Sequence, residues 1–193
     1  MMIQTSSREH TIHRGVLSIE MLVILAVIAI MAVAIFLNAG SLFGKNETST
    51  ELANTQEIMT NTRTLLKTQG VYDFSDAATM MGTLIQFGGV PKSMSVVGEA
   101  SSGSATLINT WGGNVTLEPT SSGSGKTGFT LTYEGVPLEA CATLTTKVSQ
   151  AVAETSINGT TTVGTVSASV ASGQCTKDNG SAGTNTLKFK SLT

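Results

Sequence analysis

The chain has 193 residues, 40% of them hydrophobic but only 5% aromatic, with a formal net charge of −2 and a mean hydropathy of +0.20. That length holds one apolar segment plus one modest domain, and the slightly acidic balance excludes a general nucleic-acid binder, which needs a basic stripe. His10 and His13 are the only histidines, and Cys141 and Cys175 the only cysteines, which disfavours a four-ligand zinc site.

The chain opens with a hydrophilic stretch carrying Arg8, Glu9 and Arg14. Then comes Gly15-Val16-Leu17-Ser18-Ile19-Glu20, and Glu20 is the only charge between Arg14 and Lys45. Met21 to Leu37 is an unbroken run of 17 apolar residues. As a helix rising about 1.5 Å per residue, this uncharged block is long enough to cross a bilayer core of about 30 Å. A carboxylate at the edge of such a helix costs a few kcal/mol and demands a partner. A cut after Gly15 would make Val16 a new ammonium, able to pair with Glu20 of a neighbouring copy. The early positive charges place residues before the helix in the cytoplasm and the rest outside it. Two other readings of the segment are an uncleaved signal anchor and a cleaved secretory signal. The length of the apolar run and the lack of an A-x-A-like site disfavour the second.

Gly15 before a cut, apolar Val16 after it, Glu20 as the fifth residue of the product and a long apolar helix beyond resemble the class III signal of type IV prepilins. The 15-residue leader and the Val at the cut are similar to the type IVb subgroup, found in enteric adhesion pili and conjugative thin pili. The resemblance implies leader cleavage between Gly15 and Val16 by a membrane prepilin peptidase, N-methylation of Val16 and subunit registration by Glu20. It also implies an inner-membrane platform, a cytoplasmic ATPase and an outer-membrane secretin as partners, self-assembly into a helical homopolymer, and no cofactor. Removal of the leader, net +1, leaves a mature chain near −3. The chain then divides into a leader at 1–15, a transmembrane and polymerisation helix at 16–44, the amphipathic half of that helix at 45–70, and a globular head at 71–193.

Asn38, Gly40, Ser41 and Gly44 loosen the helix over 38–46. From Glu47 to Lys67 the pattern turns amphipathic. Leu52, Met59 and Leu66 stand seven apart with Ile58 and Leu65 beside them, while Glu47, Glu51, Glu57, Arg63 and Lys67 fall mostly opposite. Gly70 marks a stop. A second helix is predicted over 75–87, capped by Ser75 or Asp76, lined by Met80, Met81, Leu84 and Ile85, and ended by Gly88-Gly89. A Ser/Gly-rich loop follows to Thr106. Thr106–Trp111 and Asn114–Glu118 flank Gly112-Gly113 as a hairpin, Phe129–Tyr133 is a third strand, and Pro137 starts a short helix through Val148. A further strand is expected around Thr162–Val170, and a last one at Thr186–Lys190. The sum is an α+β head on a long N-terminal helix, which resembles the type IVb pilin head. The Asp76–Met94 stretch and Trp111-Gly112-Gly113 resemble that subgroup as well.

In an oxidising compartment Cys141 and Cys175, 34 positions apart, are expected to pair, a bridge worth roughly 3–4 kcal/mol by loop-closure entropy. Unconnected buried thiols are the alternative. A core with so few large side chains benefits from such a staple. Gly123-Ser124-Gly125-Lys126-Thr127 matches only the end of a P-loop, because position 120 is Thr and a strand pattern follows instead of a helix. Asn46, Asn114, Asn158 and Asn179 open glycosylation-like triplets of the kind a Ser/Thr-rich chain produces by chance. With no histidine beyond the leader, a Ser-His-Asp or Cys-His arrangement is excluded, so no enzyme is expected. The polar 150–185 region offers no ligand chemistry. The reading is a major pilin. A minor pilin, a type II secretion pseudopilin and a signal-anchored domain that never polymerises are the alternatives.

Overall fold

A computed structural model describes residues 46–122, 125–180 and 182–192. The predicted membrane helix and Gly15, Val16 and Glu20 lie outside those residues. Helix α1 covers 46–61 and runs into a single π-helical stretch, Thr62–Leu66. Threonine is a poor helix former, yet this helix is full of it. Thr50, Thr55, Thr60, Thr62 and Thr64 each donate a hydroxyl to the carbonyl four residues earlier, at 2.7 to 3.1 Å, which satisfies the side chain without breaking the helix. The helix ends where Lys67 turns extended. Gln69 and Gly70 then take positive φ in a two-residue turn closed by Thr68 and Val71. Gly70 is therefore a turn residue beyond the helix end and not its cap.

Helix α2, Ala77–Gln86, starts on Asp76, whose Oδ1 accepts from the Thr79 amide at 2.8 Å. It stops at Gly88, where φ is +69° and the Gly88 and Gly89 amides return to the carbonyls of Ile85 and Leu84. The predicted loop to Thr106 contains a short strand β1, Ser95–Val97, and a 3₁₀ turn, Ala100–Ser102. Three residues are too few to show a period. Strands β2 (Thr106–Ile108), β3 (Asn114–Ser122) and β4 (Gly125–Val136) follow. Pro119 is tolerated inside β3 because β2 pairs only with Asn114 and Val115, so the side of β3 away from β4 is open at position 119. After Pro137 comes helix α3, Leu138–Val148, as predicted.

The next stretch differs from expectation. Strands β5 (Glu154–Ile157) and β6 (Thr160–Val163) form a hairpin, and Ala168–Gln174 is helix α4. The predicted strand at Thr162–Val170 is thus cut short at Val163. Ser167 caps the new helix by accepting from the Val170 amide at 3.3 Å, satisfying one of the free donors of its first turn. Strand β7, Asn185–Ser191, is the last. The sheet is antiparallel with order β1-β2-β3-β4-β7-β5-β6, so the late strand sits between two that precede it. Its inner face is built from rows such as Leu117–Leu131–Phe189 and Val115–Tyr133–Leu187–Ile157. These side chains are almost all inaccessible to solvent.

Candidate functional site

Two features organise the head: the seat of helix α1 and the lobe closed by the two cysteines. The buried face of α1 is polar in its first half and apolar later. Thr48, Glu51, Asn54 and Thr55 are buried there, followed by Ile58, Met59, Thr62 and Leu66. Glu51, expected on the polar side, is fully buried. Its Oε1 accepts from the Thr110 amide at 2.7 Å and from the Thr110 hydroxyl, so it pins the helix to the β2–β3 turn. Leu65, expected beside the apolar stripe, is 43% exposed. It falls in the π stretch, where the wider turn rotates the face. The helical spacing Glu51–Thr55–Ile58–Thr62 was the available signal for Glu51, since all four are buried on one side.

Further polar ties run up the helix. Ser93 donates to Asn54 Oδ1 at 2.7 Å, Asn61 Nδ2 to the Gly89 carbonyl at 3.0 Å, and Arg63 Nη2 to Ser191 Oγ at 3.1 Å. The Arg63 guanidinium lies 5.8 Å from the Phe129 ring centroid, and Tyr72 meets that ring edge-on at 5.4 Å. Burial holds the Tyr72 phenol above its ordinary value, opposed by Arg63. Burial first, and then the Glu51 carboxylate, push the Tyr133 phenol far higher. The Thr55 hydroxyl beside the Tyr133 phenol opposes that rise, and Glu51 Oε2 is buried without a hydrogen-bond partner.

Cys141 on α3 and Cys175 just past α4 form a disulfide, with Cα atoms 6.0 Å apart. Next to it Asn185, fully buried, acts as a hub. Its amide donates to the carbonyls of Val136 and Thr176, and its carbonyl accepts from Thr176 and Asn158. Asn185 lies just ahead of the predicted last strand and opens β7 in the structure, and no local signal in the sequence marked it. Asp178 Oδ1 accepts from the Leu138 amide at 2.8 Å and so finishes the start of α3.

Several grooves mark the surface of the described residues of the head. A polar one of about 330 Å³ crosses the outer sheet face between Glu118, Ser156 and Lys188, with the Lys190–Glu154 ion pair at 2.9 Å on its floor. An apolar one of about 350 Å³ lies between Ala78 and Met81 of α2 and Leu107 and Val115 of the sheet. A third, of about 490 Å³, flanks the disulfide between Leu138 and Lys177. Gly125-Lys126-Thr127 begins β4 and not a helix, and Lys126 donates its ammonium to the Phe74 carbonyl; Gly123 and Ser124 lie outside the described residues. Among the described residues, no cluster of three or more His, Cys, Asp or Glu could hold a metal ion, and no helix is long and apolar enough to cross a membrane.

A helix seated on an antiparallel sheet whose later part is closed by a disulfide is the head of a type IV pilin. Residues 45–192 match the PilS N-terminal family. A crystal structure of a type IVb pilin from Salmonella typhi is 42% identical, with a TM-score of 0.62, covering 73% of this chain and 97% of that one. An NMR structure of the type IVb pilin PilS from Salmonella typhi is also 42% identical, with a TM-score of 0.52, covering 74% and 94%. No curated protein sequence matches the chain. The chain belongs to the PilS family of type IVb pilins and is a structural subunit, not an enzyme.

Proposed function

We propose that this pilin is the major subunit of its pilus. Residues 1–15 are removed by a prepilin peptidase that also methylates Val16. The product waits in the inner membrane with its head outside, and a platform, an ATPase and a secretin convert it to an extracellular filament serving adhesion, aggregation or mating contact. The observation that carries the reading is Gly15-Val16 and Glu20 ahead of 17 uninterrupted apolar residues, joined to a pilin head. Helices packed in the fibre core leave Glu20 and the Val16 ammonium of another subunit with only each other for compensation, and this sets the axial step.

Glu20→Val tests it. The substitution removes the costly charge from the bilayer edge, so insertion and cleavage persist while the pairing is lost. Processed pilin in the membrane fraction with few or no filaments in the sheared fraction is the expected result. Normal filaments would refute registration by Glu20. Mass spectrometry of mature pilin should find Val16 at the N-terminus, and an intact Met1 would refute the leader.

A further inference from the structure

Asn-Gly occurs twice in the chain, at Asn158-Gly159 and Asn179-Gly180. This dipeptide undergoes spontaneous deamidation most readily, because glycine leaves its own amide nitrogen unshielded beside the asparagine side chain. By sequence the two pairs are equivalent; the fold separates them.

Asn158 is exposed to solvent but held at every polar atom of its side chain. Its Nδ2 donates to the Gln174 carbonyl and to Asn185 Oδ1, both at 2.9 Å, and its Oδ1 accepts from the Thr186 amide at 2.9 Å. Its backbone is fixed as well, with φ of +49° in the β5–β6 turn and its own amide bonded to the Thr186 carbonyl. The side-chain carbon cannot swing onto the Gly159 nitrogen without breaking three hydrogen bonds.

Asn179 is exposed too, and its side chain makes no hydrogen bond to any described residue. Only its backbone is tied, by the paired bonds with Ala182 at 3.0 and 3.1 Å. Gly180 has φ of +64°, is exposed, and has open space where a Cβ would stand. Gly159 is equally open, with φ of +88°, so the two pairs differ in how the asparagine side chain is held.

We propose that Asn179-Gly180 is a site of spontaneous deamidation in the folded protein and that Asn158-Gly159 is protected. The Gly180 nitrogen attacks Cγ of Asn179, a C–N bond forms, and ammonia leaves, giving a five-membered succinimide. Water then opens the ring at either carbonyl. One product is aspartate; the other is isoaspartate, in which the main chain runs through the former side chain. Both place a new carboxylate next to Asp178, the residue that accepts from the first amide of α3, on the groove that flanks the disulfide. The isoaspartate product also lengthens the backbone inside the Asn179–Ala182 bridge. The inference stands apart from the assembly reading, since it needs only the folded head.

The test incubates the purified full-length chain at mildly alkaline pH and body temperature, natively and in parallel unfolded and reduced. Proteolysis at acidic pH and mass spectrometry then follow the peptides carrying positions 158 and 179. In the native sample the peptide with Asn179 should gain the mass of an amide-to-acid conversion while the peptide with Asn158 stays unchanged. In the unfolded sample both should convert. Gly180→Ala should slow the conversion at 179 in the unfolded chain, where the strain of a positive φ does not enter. Native Asn179 that stays intact while its unfolded counterpart converts overturns the proposal. So does native Asn158 converting as fast as Asn179, or an unfolded chain in which neither site converts.

Discussion

Replacing both cysteines, Cys141→Ala with Cys175→Ala, isolates what the bridge contributes. Its sequence separation is 34, and loop-closure entropy for a loop of that size comes to about 4 kcal/mol. The side chains themselves add little, since alanine keeps the buried sites apolar. Within the loop, helix α4 fully buries only Ala171, with Val170 partly buried against the core and the flanking Val166 buried. With so little core of its own, α4 depends on the tether, and its loss should appear there first. The assay is urea denaturation of a soluble version starting at residue 45, read by the emission of Trp111, with amide hydrogen exchange in parallel. With m near about 2 kcal/mol/M the midpoint should fall by about 2 M. Exchange should rise in α4 at urea concentrations where β4 and β7 stay protected. A loss below about 1 kcal/mol together with unchanged protection in α4 would refute the entropic account.

Other outcomes are expected. Both tyrosines have phenols raised by burial. The stability they confer is therefore complete below the unfolded tyrosine value near 10 and is lost as pH climbs past it; tyrosinate absorbance should stay absent in the native head until alkaline unfolding and then appear with it. The Asp76 carboxyl is lowered, chiefly by the Thr79 amide bond. Its capping is present above the unfolded carboxylate value and fades as pH falls through the folded one, so the protection factors of the first amides of α2, taken against the intrinsic exchange rate at each pH, should fall in acid and be insensitive to pH in Asp76→Asn. A Cβ at Gly113 would sit 1.8 Å from the Glu134 carbonyl oxygen, so Gly113→Ala should cost about 1–3 kcal/mol in the same urea assay. Glu51→Ala leaves the Thr110 amide and hydroxyl without their acceptor and should cost about 1–3 kcal/mol, whereas Glu51→Gln keeps one accepting oxygen and should lose less.

Much of the head was legible in local pattern. Helices α1, α2 and α3 were marked by spacing, by the Asp76 cap and by Pro137 in turn, and the hairpin around Gly112-Gly113 was marked by its glycines. What escaped was set by contacts distant in sequence. Glu51 looked like a surface acid because its acceptor role depends on Thr110, a residue 59 positions away. The first three residues of helix α4 were read as the end of a strand over Thr162–Val170, because Thr, Ser and Val dominate that stretch and a seven-residue helix shows barely two turns of pattern. The residues of β7 carried a clear strand signal, but nothing local indicated a central position. Both cysteines stood out by composition, and Asn185, which organises their surroundings, did not.

The place of β7 has a consequence for biogenesis. Until residues 185–191 arrive, β4 and the β5–β6 hairpin face a gap at the middle of the sheet and cannot pair with each other in the native order. The head is therefore an all-or-none product of nearly the whole chain. It cannot close progressively from its N-terminal side, and every route to it includes a late, long-range pairing that is slow to form. A chain that stops short of Asn185 loses its middle and not a margin, exposing two strand edges that invite aggregation. Proteolysis of such unfinished chains, with complete ones spared, would restrict the pool of subunits to those able to bear load.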